Sequence, residues 1–256
     1  MDLPLARATA RRLEVVADTG STNADLRANA SDAESWPHLA VLVTNDQTAG
    51  RGRLDRTWVA PAGSALAVSV MLRKLPADPA ARGWIPLAAG VAMAEAIAEQ
   101  LPAHDVAVKW PNDVLVDGHK ICGILAEATT DAVVVGAGVN TAMTIEQLPV
   151  PTATSFAALG GVADEDRLLA GYLEKLDAHL SALTVSEDAV VSGLHGAVSA
   201  RCATLGQAVR VSLPAGRILE GTATAIDGEG RLLVESEGIE HPISAGDVVH
   251  VRPAGS

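Results

Sequence analysis

From Asp131 to Val139 the chain is almost wholly apolar, and few architectures can hold such a run. A strand that is apolar on both sides has to be covered on both sides, so it belongs in the middle of a sheet. The preceding residues supply neighbours for it. Val106–Trp110, Val114–Val116 and Ile121–Glu127 have strand character, and Asp117-Gly118 makes a hairpin turn between the last two. Upstream, Leu13–Val16, Leu39–Thr44 and Ala65–Leu72 also read as strands.

Helical patterns are interleaved with these strands. Trp84–Leu101 carries Leu87, Val91, Ala94, Ile97 and Ala98 at helical spacing. Ser21-Thr22-Asn23 is placed to cap a helix over Ala24–Ala30, and Asp164–Leu183 and Glu187–His195 read as two more helices. Hairpins mixed with helices predict an α+β fold on a mixed β-sheet. Past Arg201 the character changes. Val209–Leu213, Leu219–Ile226, Arg231–Glu235 and Val248–Val251 are short strands between Pro and Gly turns, as in a small β-barrel. A boundary at Ala197–Arg201 divides the chain into residues 1–200 and 201–256.

Composition narrows the partners. A formal charge of −12 disfavours broad binding to DNA or to an anionic membrane. Cys122 and Cys202 belong to no CxxC or Cys/His cluster, which predicts two buried thiols in a reducing compartment. Met1–Arg12 lacks the apolar run of a signal peptide, and no stretch of eighteen apolar residues occurs. The expectation is a cytoplasmic protein.

Against this acidic background, Gln47–Trp58 reads Gln-Thr-Ala-Gly-Arg-Gly-Arg-Leu-Asp-Arg-Thr-Trp. Gly50 and Gly52 allow close backbone approach to a ligand. Arg51, Arg53 and Arg56 add three permanent charges, each a fork of donors suited to carboxylate or phosphate. The loop is not a Walker loop, since no Gly-Lys-Ser/Thr follows, and a solvated basic turn fits it equally well. Further on, Lys109-Trp110-Pro111-Asn112-Asp113 reads as a strand entering a rigid turn. Lys109 there is either a surface ammonium or a directed charge, and Asn112 and Asp113 are either turn formers or ligands.

Taken in order, Ser21-Thr22-Asn23, the arginine loop, Lys109–Asp113, Lys120-Ile-Cys-Gly-Ile-Leu-Ala-Glu127 and Gly136-Ala-Gly-Val-Asn140 resemble the biotin–protein ligase family over nearly the whole chain, Leu13 to Val251. The resemblance implies a catalytic domain like that of class II aminoacyl-tRNA synthetases and biotin ligases, followed by an SH3-like barrel. It implies that biotin and Mg-ATP give biotinyl-5′-AMP and pyrophosphate, and that biotin then passes to a lysine of a biotin carboxyl carrier domain. Lys109 and Arg51 are the expected catalytic residues, with Lys109 bridging biotin's carboxylate and the α-phosphate. Ser21, Thr22, Asn23, Gln47, Gly52 and Arg53 are expected to join them around biotin. Arg53 also belongs to the expected nucleotide contacts, with Arg56, Trp58, Asn112, Lys120 and Asn140. Ligands for Mg²⁺ are not identified by the pattern.

Two departures stand out. Asp55 occupies a position where the family usually has Gly. Twenty residues precede Ser21, too few for the winged helix-turn-helix of the repressor forms. The expectation is therefore a catalytic form that binds no DNA, as a monomer or weak homodimer. A lipoate or octanoate ligase is the alternative enzyme, and a biotin-responsive DNA-binding regulator the alternative of another class.

Overall fold

The computed structural model describes residues 1–53, 56–213, 217–244 and 247–250. Nine strands belong to the first part of the chain: β1 (Arg12–Val15), β2 (Ala40–Thr44), β3 (Gly50–Arg51), β4 (Thr57–Trp58), β5 (Ala65–Leu72), β6 (Val106–Lys109), β7 (Asp113–Val116), β8 (His119–Ala128) and β9 (Val133–Asn140). Seven of them form one sheet in the order β1-β2-β5-β9-β8-β7-β6, while β3 and β4 pair as a separate small ribbon. The β1–β2 pair is parallel and the other ladders of the large sheet are antiparallel. The sheet is mixed, and β9, the apolar run, is its middle strand.

Helices α1 (Pro4–Thr9), α2 (Thr22–Ala28), α3 (Ile85–Gln100), α4 (Glu165–Ser186) and α5 (Leu194–Arg201) complete this part. α3 is buried nearly all round, from Ile85 to Ile97, because the sheet lies on one side of it and α4 on another. α4 is amphipathic, burying Leu169, Tyr172, Leu173, Leu176, Leu180 and Leu183. Its N-terminus is capped by Asp164, whose carboxylate accepts from Arg167 N. Cys122 and Cys202 are both buried free thiols, and burial pushes the Cys122 thiol up to about 12.

The expected helix at Glu187–His195 is not present. Glu187 adopts a left-handed conformation that ends α4 (φ 55°), and Asp188 Oδ1 then accepts from Val190 N and Val191 N to form a turn. Gly193, at φ 82°, starts α5 instead. The expected boundary at Ala197–Arg201 therefore lies inside a helix.

Beyond α5 come β10 (Ala208–Ser212), β11 (Ile218–Ile226), β12 (Leu232–Ser236), β13 (Ile239–Ile243) and β14 (Asp247–His250). They form an antiparallel sheet in the order β13-β12-β11-β10-β14. Among the described residues no ladder joins β13 to β14, so the predicted barrel is an open sheet here. β13 was missed by the sequence reading because Pro242 and the polar pair Glu240-His241 interrupt its pattern. Three ring N–H groups or ring nitrogens fasten the hairpin between β11 and β12 to the first part of the chain. Trp84 Nε1 donates to Gly228 O (2.8 Å), Trp110 Nε1 donates to Gly230 O (3.0 Å), and a His195 ring nitrogen meets Ile226 O at 2.8 Å. Among the described residues no helix is long and apolar enough to cross a membrane.

Candidate functional site

Side chains alternate across a strand, so β5 and β9 show the sheet's two faces differently. Val68, Val70, Val135, Ala137 and Val139 enter the core shared with α3 and α4. On the other face, Met71 and Val134 pack with Leu26 under α2. Two residues along each strand the apolar pattern stops. Ser69 stands opposite Gly136, Ala67 opposite Gly138, and Gly138 opposite Gly123 of β8. This row of small residues leaves a trough.

The close approaches explain the glycines. A Cβ on Gly136 would collide with Asn23 Oδ1, and one on Gly138 would lie 2.7 Å from the Trp58 ring. Both positions are filled from above by side chains of other segments. No larger residue fits without moving Asn23 or Trp58.

The trough brings together most of the residues expected from the sequence. Ser21, Thr22, Asn23, Gln47, Arg51, Gly52, Arg53, Arg56, Trp58, Asn112 and Lys120 all line it. Ser21 also serves as the N-cap of α2, its hydroxyl accepting from Ala24 N at 3.4 Å, so the capping and lining roles coexist. Asp55 lies outside the described residues.

Each wall is tied down by polar contacts. Gln47 Oε1 accepts from Thr22 N (2.9 Å) and lies 3.1 Å from Thr22 Oγ1. Ser69 Oγ lies 2.8 Å from Thr22 Oγ1 and 2.6 Å from Asn23 Oδ1. Asn23 Nδ2 donates to Leu125 O (3.1 Å) and to Glu127 Oε2 (2.9 Å). Glu127 also pairs with Arg27 at 2.8 Å and with Arg51 at 3.3 Å. At the other end, Arg53 donates to Asn112 Oδ1 (2.9 Å), while Asn112 Nδ2 donates to Ile124 O (2.9 Å).

The trough's lysine is Lys120. Its Nζ is 2.6 Å from Asp113 Oδ1 and 3.2 Å from where a Cβ on Gly123 would sit. Its backbone is gripped on both sides, with Lys120 N donating to Thr152 O and Thr154 N to Lys120 O, each at 2.8 Å. A half-exposed ammonium on so fixed a backbone has a definite direction.

Lys109 is not among the lining residues. It ends β6, the outermost strand of the sheet, and its charge, after burial, helps to hold the His250 imidazole below its ordinary value. In the ladder Lys109 stands directly opposite Asp113, the carboxylate that pairs with Lys120. Asn140 is not in the lining either. It is buried at the end of β9, where its Nδ2 donates to Thr154 O (2.9 Å) and so steadies the segment that pairs with Lys120.

Three lining or supporting residues were given no role by the sequence reading, Ser69, Glu127 and Gly123, while Asp113 stood as either a turn former or a ligand. A lone Ser in a strand and a Glu at a strand's end carry no signal of their own. Gly136-x-Gly138 inside an otherwise Val-rich strand was such a signal, since glycine weakens a strand unless something approaches closely. Among the described residues no group of three His, Cys, Asp or Glu is arranged to hold a metal ion.

Comparison with known proteins agrees with the geometry. The profile of the biotin/lipoate A/B protein ligase family matches residues 16–140, and that of the biotin protein ligase C-terminal domain matches residues 204–251. The chain is 40% identical over 245 residues to a biotin–[acetyl-CoA-carboxylase] ligase of Mycobacterium tuberculosis, covering 94% of this chain and 90% of that protein. It is 34% identical over 213 residues to the bifunctional ligase/repressor BirA of Escherichia coli, covering 80% of this chain and 64% of the relative. In three dimensions it resembles a biotin protein ligase from Aquifex aeolicus in complex with biotin and ATP, with a TM-score of 0.77 at 24% identity, over 95% of this chain and all of the other. It also resembles the Leishmania major biotin protein ligase in complex with biotinyl-5-AMP, with a TM-score of 0.62 at 26% identity, over 92% and 99% of the two chains.

Proposed function

Because the chain belongs to the biotin–protein ligases of the biotin/lipoate A/B protein ligase family, we propose that its trough is where biotin's carboxylate meets the α-phosphate of ATP. One observation carries this reading. The arginine loop, Lys120 and the polar floor of Thr22, Asn23 and Gln47 are far apart in sequence and line a single trough. Two anions repel, and their reaction needs fixed cations at the point of contact. Lys120, with Arg51, Arg53 and Arg56 around it, supplies them.

The reaction has two steps. A carboxylate oxygen of biotin attacks the α-phosphorus, the bond to the β-phosphate oxygen breaks, and pyrophosphate leaves. The carrier lysine's amine then attacks the acyl carbon of biotinyl-5′-AMP, AMP leaves, and the amine loses a proton as the amide forms. In both steps negative charge grows on oxygens next to the phosphate. We assign Lys109, opposite Asp113 in the β6–β7 ladder, together with Lys120 to stabilise it. Asp113 holds the Lys120 ammonium at 2.6 Å, so the charge is in place before substrate arrives. Mg²⁺ accompanies ATP as part of the substrate, carried by phosphate oxygens and water with few protein ligands.

The floor's polar side chains suit biotin's ureido ring, whose burial without partners would be costly. Trp58, lying over Gly138, provides an aromatic wall for the adenylate. The acceptor is a biotin carboxyl carrier domain, and we assign residues 1–200 to the catalytic unit and residues 201–256 to a supporting one. The test is ATP-dependent transfer of labelled biotin to such a carrier domain, with lipoate as competitor. Biotin-dependent pyrophosphate exchange, followed by a labelled carrier, is expected. Exchange driven by lipoate and not by biotin would overturn the assignment.

A further inference from the structure

The trough's floor is short of a proton. Asn23 Oδ1, Ser69 Oγ, Thr22 Oγ1 and Gln47 Oε1 form a row of four oxygens with three contacts of 2.6, 2.8 and 3.1 Å. The two end oxygens are amide carbonyls and can only accept, and the two hydroxyls bring one proton each. Three contacts therefore share two protons. Gln47 cannot turn to help, because its Oε1 is the acceptor for Thr22 N–H at 2.9 Å. Asn23 cannot turn either, since its Nδ2 faces Leu125 O and the Glu127 carboxylate. Ser69 is fully buried, and Thr22 and Asn23 nearly so. A buried oxygen pair without a proton between them is unfavourable until a donor arrives.

Building on the reading of the trough as a biotin site, we propose that Glu127 is a positioning residue that makes this floor demand an N–H donor from the ring of the acid substrate. Glu127 is the hub of the circuit. Its Oε2 takes Asn23 Nδ2 and Arg51, and its Oε1 takes Arg27. One carboxylate thereby fixes Asn23 with its oxygen toward the floor and ties the arginine loop to the same point. A ureido ring brings N–H groups that complete the row. A dithiolane ring brings none, so the floor stays one proton short beneath it. Discrimination of this kind is strong where polar groups of a buried site would be left unpaired.

The experiment measures pyrophosphate exchange with biotin and inhibition by lipoate in the wild type, Glu127→Ala, Glu127→Gln and Arg27→Ala, with thermal unfolding of each. Loss of a charge-assisted anchor is expected to raise the KM for biotin about tenfold in Glu127→Ala, with a smaller rise in Glu127→Gln. The KM for ATP and kcat stay within about threefold of wild type, and the preference for biotin over lipoate falls. Arg27→Ala removes a cation from Glu127 without touching Asn23 and is expected to shift the biotin KM less than about twofold. An unchanged biotin KM in both Glu127 variants would overturn the inference, as would an equal rise in Arg27→Ala. A parallel loss of kcat, both KM values and thermal stability would make the role structural and overturn it too. Absence of biotin-driven exchange in the wild type would instead refute the underlying biotin reading.

Discussion

The two faces of the seven-stranded sheet are made by the same strands and serve opposite ends. On the helix-covered face Val135, Ala137 and Val139 fill space against α3 and α4. On the other, Gly136 and Gly138 of the same strand leave space for Asn23 and Trp58. The first face is close-packed, so its stability depends on volume. The second has had its side chains removed and is held open by polar contacts from α2, the arginine loop and β8. Substitutions should therefore cost folding stability on one face and substrate affinity or rate on the other.

The largest expected effect lies in the trough. Lys120→Ala should slow biotin-dependent pyrophosphate exchange roughly 100- to 1000-fold, or about 2.7–4 kcal/mol in the barrier, with little change in the melting temperature. Lys109→Ala removes the charge opposite Asp113 and should slow the same exchange by at least about tenfold. Wild-type exchange in Lys109→Ala would leave Lys120 as the catalytic lysine.

Gly136→Val should come next. Its branched side chain displaces the Asn23 amide, and the KM for biotin is expected to rise at least about tenfold while the fold survives. A melting temperature depressed as far as that of a core variant would erase the distinction between the faces. Leu176→Ala is the mirror experiment on the covered side. It should cost about 2–5 kcal/mol of stability in denaturant titration, with KM values for both substrates unchanged. Altered substrate affinity there would show that the two faces are coupled through the sheet.

The smallest effect is set by two histidines away from both faces. Burial holds His38 below its ordinary value of 6.5 despite Asp177, and burial together with the Lys109 ammonium does the same to His250. A depressed histidine means the unfolded chain binds protons more readily. Its contribution is complete above pH about 6.5 and lost as the pH falls through the lowered value. Thermal stability should drop on the acid side of that window, and His250→Gln should flatten the drop. A steeper drop in the variant would reverse the sign argued here.

Much of the fold was legible because periodicity reports burial. β5 was read with its observed ends, β9 was placed in the middle of the sheet, and the Asp117-Gly118 turn was recognised, its two residues both having positive φ in the structure. What failed was local punctuation. Glu187 in a left-handed conformation is not something its residue type announces, and Pro242 hid β13. The trough's residue types were also legible, since an arginine loop in an acidic chain is conspicuous. Which lysine Asp113 holds was not. Lys109 and Lys120 are both lysines in strands near an Asn or Asp, and no spacing rule distinguishes them.

The sequence alone determined the class of fold, most of its strands and helices, and the family whose motifs it carries. Those follow from alternation, turn residues and short motifs, all of which are local. The tertiary structure decided which charges meet. The ladders of β5, β9 and β8 set Ser69, Gly136 and Leu125 in one row. A distant Glu127 holds Asn23 and Arg51 together, and Asp113 holds Lys120. Register and packing direction arise from contacts between segments far apart in the chain, and a linear pattern does not carry them.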